Sequence, residues 1–146
     1  MRIKKVSKTT ATSAQVIDGY SESTTDAYSC NYINKIIESG SNANGSYIKY
    51  FDGTMIVRQR KSVSTTIDGS WGSLFNSPNI SLDNYPVEFT ELPSVSMFAE
   101  GSSSAMIMNA GNGTMIKPPP INLIRGEKIT TSTNFTVNVT AIGKWK

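Results

Sequence analysis

Arg58, Arg60 and Lys61 lie within four positions of one another in the run TMIVRQRK. On an extended strand, side chains alternate between faces, so Arg58 and Arg60 share one side. Two guanidinium forks on one side suit a phosphate or a uronate carboxylate, which each fork binds through paired N–H groups. The competing use of such residues is to keep a sheet face or edge charged against aggregation. Aromatic side chains offer a second chemistry. Tyr47, Tyr50, Trp71, Tyr85 and Trp145 could stack apolar ring faces on sugars. Trp71 follows a turn, which favours exposure, although a Trp in a small β domain also serves as core or interface. The candidate ligand-binding residues are therefore Trp71, Tyr85, Arg58 and Arg60. Among the carboxylates, Asp52 and Asp68 each precede Gly and read as turn residues. Glu88 and Glu91 flank Phe89 and could form the acid pair of a glycosidase, but their spacing fits solvated strand residues equally well.

Absences narrow the chemistry further. The chain has no histidine and one cysteine, Cys30. It cannot form an internal disulfide, and it lacks the residues for most zinc sites, Ser-His-Asp or Cys-His catalysis and haem ligation. No catalytic residue, metal ligand or cofactor is assigned. A net charge of +3 permits weak attraction to anionic polymers, and nothing in the pattern calls for nucleic acid. No apolar run approaches the roughly 18 residues of a membrane span, so membrane insertion is not expected. The opening MRIKKVSKTTATSAQV has the charges of a signal peptide without its apolar centre. Five Asn-x-Ser/Thr triplets, at Asn44, Asn79, Asn112, Asn134 and Asn138, are what chance yields in a chain this rich in Asn, Ser and Thr.

These residues need a scaffold, and the hydrophobic pattern describes one. Residues 1–22 form a polar segment with little to pack. Residues 23–39 read as a helix: Ser23, Thr24 and Asp26 can cap it, Cys30, Ile33 and Ile37 form a stripe flanked by Ile36, and Gly40 stops it. So short a helix needs a partner, either the following β domain or copies of itself in a coiled-coil stalk. Cys30, Ile33, Ile36 and Ile37 are the candidate oligomerisation residues. Residues 40–45 are a linker, and residues 46–146 a β domain. Tyr47–Phe51 and Thr54–Arg60 pair as a hairpin through Asp52-Gly53, expected as a type I′ turn. Val63–Ile67 reads as a third strand and YPVEFT, SVSMFAE and NFTVNVTAIGKW as further ones, with the apolar segments WGSLF, ISL, AMIMNA, TMIK and INLI set between turns and Pro118–Pro120 in a loop or at an edge. About eight short strands at such intervals predict an antiparallel β-sandwich. In the last strand Phe135, Val137, Val139 and Ala141 face one way and Thr136, Asn138 and Thr140 the other.

Four segments resemble one family. YIKYFDGTMIVRQR resembles the opening hairpin of C-terminal head domains in bacteriophage tail-fibre and baseplate proteins, and FTVNVTAIGKWK resembles their closing strand. WGSLF with YPVEFTELPSVSMFAEG resembles their central passage, and STTDAYSCNYINKII the helical segment that precedes such heads. The four occur in the family's order over residues 20 to 146. The resemblance implies a virion component without enzymatic activity: a homotrimeric receptor-binding head that joins other tail or baseplate proteins and adheres to bacterial surface saccharide or protein. A structural tail subunit without a ligand and a saccharide-cleaving tail spike are the alternatives. The chain departs from long fibres in having almost no shaft, and the resemblance assigns no binding residue.

Overall fold

The computed structural model describes residues 36–146 of the protein. Nine antiparallel strands make up the described residues: β1 (Ile36–Asn42), β2 (Gly45–Tyr50), β3 (Thr54–Ile67), β4 (Gly69–Trp71), β5 (Leu74–Asn76), β6 (Ser94–Gly101), β7 (Met106–Asn109), β8 (Ile121–Arg125) and β9 (Ile129–Lys144). They form a five-stranded sheet, ordered β1-β2-β3-β9-β6, and a four-stranded sheet, ordered β4-β5-β8-β7. The long strands β3 and β9 are its spine, pairing from Thr54↔Lys144 to Ile67↔Ile129.

Alternation along β3 and β9 explains why the sheets meet. Met55, Val57 and Ile67 on β3 and Phe135, Val137, Val139 and Ala141 on β9 are buried, as the period-2 pattern requires. Ile121 and Leu123 of β8 pack against Phe135, Val137 and Val139 across the gap, with Phe75 and Ile107 beside them. Met55, Val57 and Ala141 form a second cluster with Tyr85 and Phe89. Both aromatics come from the long connection after β5, and their rings meet edge to face at 5.1 Å and 84°.

Several expectations are corrected. The last residues of the expected helix, Ile36 to Ser39, belong to β1, and the expected linker 40–45 is the end of β1, a tight turn and the start of β2. Ile36 and Ile37 therefore lie on a strand, 51% and 43% exposed, and not on a helical stripe. Helical spacing of isoleucines cannot reveal that a partner strand will satisfy the backbone, and β-branched residues suit that ladder. Cys30 and Ile33, with the rest of the expected helix, lie outside the described residues.

The hairpin at Asp52-Gly53 forms, but not as a two-residue type I′ turn. The Gly53 amide donates to the Tyr50 carbonyl at 3.1 Å, and Gly53 alone takes positive φ, at 86°. Asp52 keeps negative φ because its carboxylate accepts the Thr54 amide at 2.8 Å and the Thr54 hydroxyl at 3.0 Å. Such a side-chain clasp sets a longer, bulged loop. Val63–Ile67 is no separate strand but the second half of β3. YPVEFT is not a strand either: the Tyr85 and Phe89 amides donate to the Ile116 and Met115 carbonyls, which joins this connection to a turn within the segment TMIK.

Candidate functional site

The sheet's outer face is organised in rows that run across the strands. One row is apolar at its centre: Ser39, Ile48, Ile56, Ile142 and Ser94. The next is Ser41, Ser46, Arg58, Thr140 and Ser96. Beyond it β2 has ended, and the row shortens to Arg60, Asn138 and Phe98, followed by Ser62, Thr136 and Glu100. Where β2 stops and β3 continues, the surface steps down into a notch of about 410 Å³. Ser41, Asn42, Ser46, Arg58, Arg60 and Asn138 line it, with Gln59 reaching round from the buried face.

Local chemistry holds this notch open. The turn between β1 and β2 closes because the Asn42 side chain accepts the Asn44 amide at 2.9 Å, and Gly45 then turns with φ of 135°. A Cβ at Gly45 would stand 2.3 Å from the Arg58 carbonyl oxygen, so the approach of the turn to β3 needs glycine. Gln59 Nε2 donates to the carbonyls of Asn44 at 2.8 Å and Asn84 at 2.7 Å, tying the turn to the connection behind it. Asn42 adds a bond to the Pro86 carbonyl at 3.2 Å, and Lys61 an ion pair to Asp83 at 2.7 Å. Lys61 is thus engaged in bracing, and does not join the two arginines.

The arginines are free to act. Arg58 is exposed and has no carboxylate partner among the described residues, while Arg60 reaches Glu100 only at 3.5 Å, with both side chains largely in water. An exposed pair of that length contributes little stability. Two polar atoms beside the notch, Oε1 of Gln59 and Nδ2 of Asn138, are closed to solvent and have no hydrogen-bond partner among the described residues. Gln59 is only 8% exposed.

The four candidate ligand residues are not brought together. Arg58 and Arg60 line the notch. Trp71 stands at the tip of the β4–β5 hairpin, 47% exposed, where Gly72 turns with φ of 60°. Tyr85 is corrected: it is 5% exposed, its ring packs in the core, and it only borders a pocket of about 190 Å³ away from the two arginines. Its hydroxyl has no partner in the protein, and burial pushes the phenol up to about 12. Trp145 is also committed elsewhere, packing on the second core cluster and donating from Nε1 to the Tyr50 carbonyl at 3.0 Å. Glu88 and Glu91 are exposed on the connection between β5 and β6 and take no part in the notch. Among the described residues no three His, Cys, Asp or Glu side chains gather as a metal site.

Asn138, Gln59 and Phe98 are the residues that sequence reasoning passed over. Asn138 was legible as a member of the outward set on β9. Gln59 and Phe98 were not, because their value depends on where β2 ends and which strand β9 pairs with on its far side.

The chain matches no family model, and no curated protein matches it in sequence. Its fold is similar to two solved structures. One is an N-truncated R1-type pyocin tail fibre, at TM-score 0.46 and 14% identity over 73% of this chain and 86% of that one. The other is an R1 pyocin fibre of P. aeruginosa comprising C-terminal residues 323–701, at TM-score 0.45 and 14% identity over 73% of this chain and 28% of that one.

Proposed function

We propose that the β domain is the receptor-binding head of a bacteriophage tail-fibre or baseplate protein, which holds the virion to the bacterial surface through non-covalent contact with surface saccharide. One observation carries this reading: the polar notch beside the β1–β2 hairpin, braced from behind by Gln59 and Asn42, with Arg58 exposed above it. A braced, water-filled surface lined by hydroxyl, amide and guanidinium groups suits polyhydroxylated ligands, which need many hydrogen bonds and little apolar burial. The four family-like segments, in the family's order, support the same reading. The partners are other tail or baseplate proteins and further copies of the chain as a homotrimer. The apolar outer row of Ile48, Ile56 and Ile142 is a surface available for that association. Several weak heads acting together raise the effective affinity without new contacts.

Purified protein incubated with a panel of bacterial surface polysaccharides tests the reading. Retention with chain length unchanged is expected. Release of oligosaccharide would point instead to hydrolysis by Glu88 or Glu91, and absence of retention on every surface to a purely structural tail subunit. Mass measurement in solution is expected to give a trimer, and a stable monomer would remove the self-association.

A further inference from the structure

The adhesion reading leaves the class of saccharide open, and the notch narrows it. We infer that the notch takes an anionic glycan: Arg58 and Arg60 bind its carboxylate or phosphate, Asn138 a neighbouring sugar oxygen, and Phe98 the apolar face of the ring. This inference rests on the adhesion reading and specifies its ligand.

The argument starts from the rows. Arg58 and Arg60 project from the same face of β3, about 6.6 Å apart at a rise of about 3.3 Å per residue, near enough for both arms to converge on one oxyanion. Arg60, Asn138 and Phe98 are consecutive cross-strand partners on β3, β9 and β6. Two strand spacings, roughly 9–10 Å, separate the guanidinium's strand from the aromatic one. A sugar ring laid along this row meets a cation at one end, an amide in the middle and an aromatic face at the other. Phe98 is 56% exposed, so its ring is open to contact at the end of this row. Asn138 stands between Arg60 and Phe98 in this row, and its carboxamide side chain lines the notch together with Gln59. Among the described residues Glu100 is the acidic side chain paired with Arg60, and their 3.5 Å contact is long enough for a ligand anion to displace.

The test uses the full chain at low salt against polygalacturonate and hyaluronate as carboxylate probes, poly(glycerol phosphate) as the phosphate probe, and dextran and mannan as neutral ones. Binding is expected to be confined to the anionic probes, and the preferred arm separates carboxylate from phosphate. Affinity is expected to fall with added salt and to drop at least ten-fold in R58Q/R60Q. R58K/R60K is expected to lie between the two, since lysine keeps the charge but loses the fork. Phe98→Ala is expected to weaken binding several-fold without changing its salt dependence. All of these sites are solvent-exposed or half-exposed, and thermal melts of each variant check that the fold persists. Binding to neutral probes that survives R58Q/R60Q would overturn the anionic assignment and leave saccharide adhesion standing. Failure to bind any of the five would count against both.

Discussion

Replacing Tyr85 by Phe should make the protein more stable, and increasingly so at alkaline pH. The Tyr85 side chain is 5% exposed, and its hydroxyl, out of solvent's reach, has no protein partner. An unmet buried hydroxyl costs about 1–3 kcal/mol, and phenylalanine removes it while keeping the ring that meets Phe89 edge to face at 5.1 Å. The variant should gain about 1–2 kcal/mol near pH 8, or roughly 4–8 °C in Tm for a domain of this size. The pH dependence is a separate handle. Burial raises the folded phenol from 10.0 to about 12, so between these values the folded state holds a proton that the unfolded state has lost. Wild-type stability therefore falls as pH rises through this window. At about 1.4 kcal/mol per pH unit, the loss reaches about 2–3 kcal/mol by pH 12. Tyr85→Phe has no such proton, so its advantage should widen from pH 8 to pH 11.5. Urea denaturation followed by fluorescence of Trp71 and Trp145 measures both, and comparing variant with wild type cancels the other tyrosines and lysines. A variant less stable than wild type at pH 8, or a gap that does not change with pH, would refute the reasoning.

Two further outcomes test the scaffold of the notch. Gly45→Ala combines a φ of 135° with a Cβ placed 2.3 Å from the Arg58 carbonyl oxygen, and should cost about 2 kcal/mol or more by urea midpoint. An unchanged midpoint would mean that the turn does not approach β3 in this way. Asp52 is held below the usual carboxylate range by the Thr54 amide first and the Thr54 hydroxyl second. A depressed carboxylate stabilises the fold above its unfolded pKa, and the benefit goes as pH falls through the folded value. Asp52→Ala should therefore lower the urea midpoint at pH 6 and have a smaller effect at pH 2.5. Equal effects at the two pH values would show that the clasp does not depend on the charge.

The strands that the sequence disclosed were those whose pattern needed no partner to interpret. In β9, the alternation of Phe135, Val137, Val139 and Ala141 against Thr136, Asn138 and Thr140 names both faces in advance, because a period of two leaves no other assignment once one face is apolar. SVSMFAE and INLI were legible for similar reasons, as short apolar runs bounded by turns. YPVEFT has the composition of a strand yet is none. Tyr85 and Phe89 share one core cluster with ring centroids 5.1 Å apart, whereas residues four apart on an extended strand stand about 13 Å from each other, so the segment must bend. Ile36 and Ile37 failed in the opposite direction, reading as helix until a six-pair ladder with β2, irregular at Ile37, was available.

The sequence by itself determined an antiparallel β protein without histidine chemistry or disulfides, with Arg58 and Arg60 on one face of a strand and Asn138 outward on another. Those conclusions follow from residue type and from the two-residue repeat, both of which are local. Tertiary structure alone decided that Tyr85 is core and Trp71 a hairpin tip, and that Arg60, Asn138 and Phe98 form one row. Strand order and the point where β2 stops are set by pairing between segments far apart in the chain. No local pattern encodes which partner a strand will take, and it is this pairing that turns three separate residues into one surface.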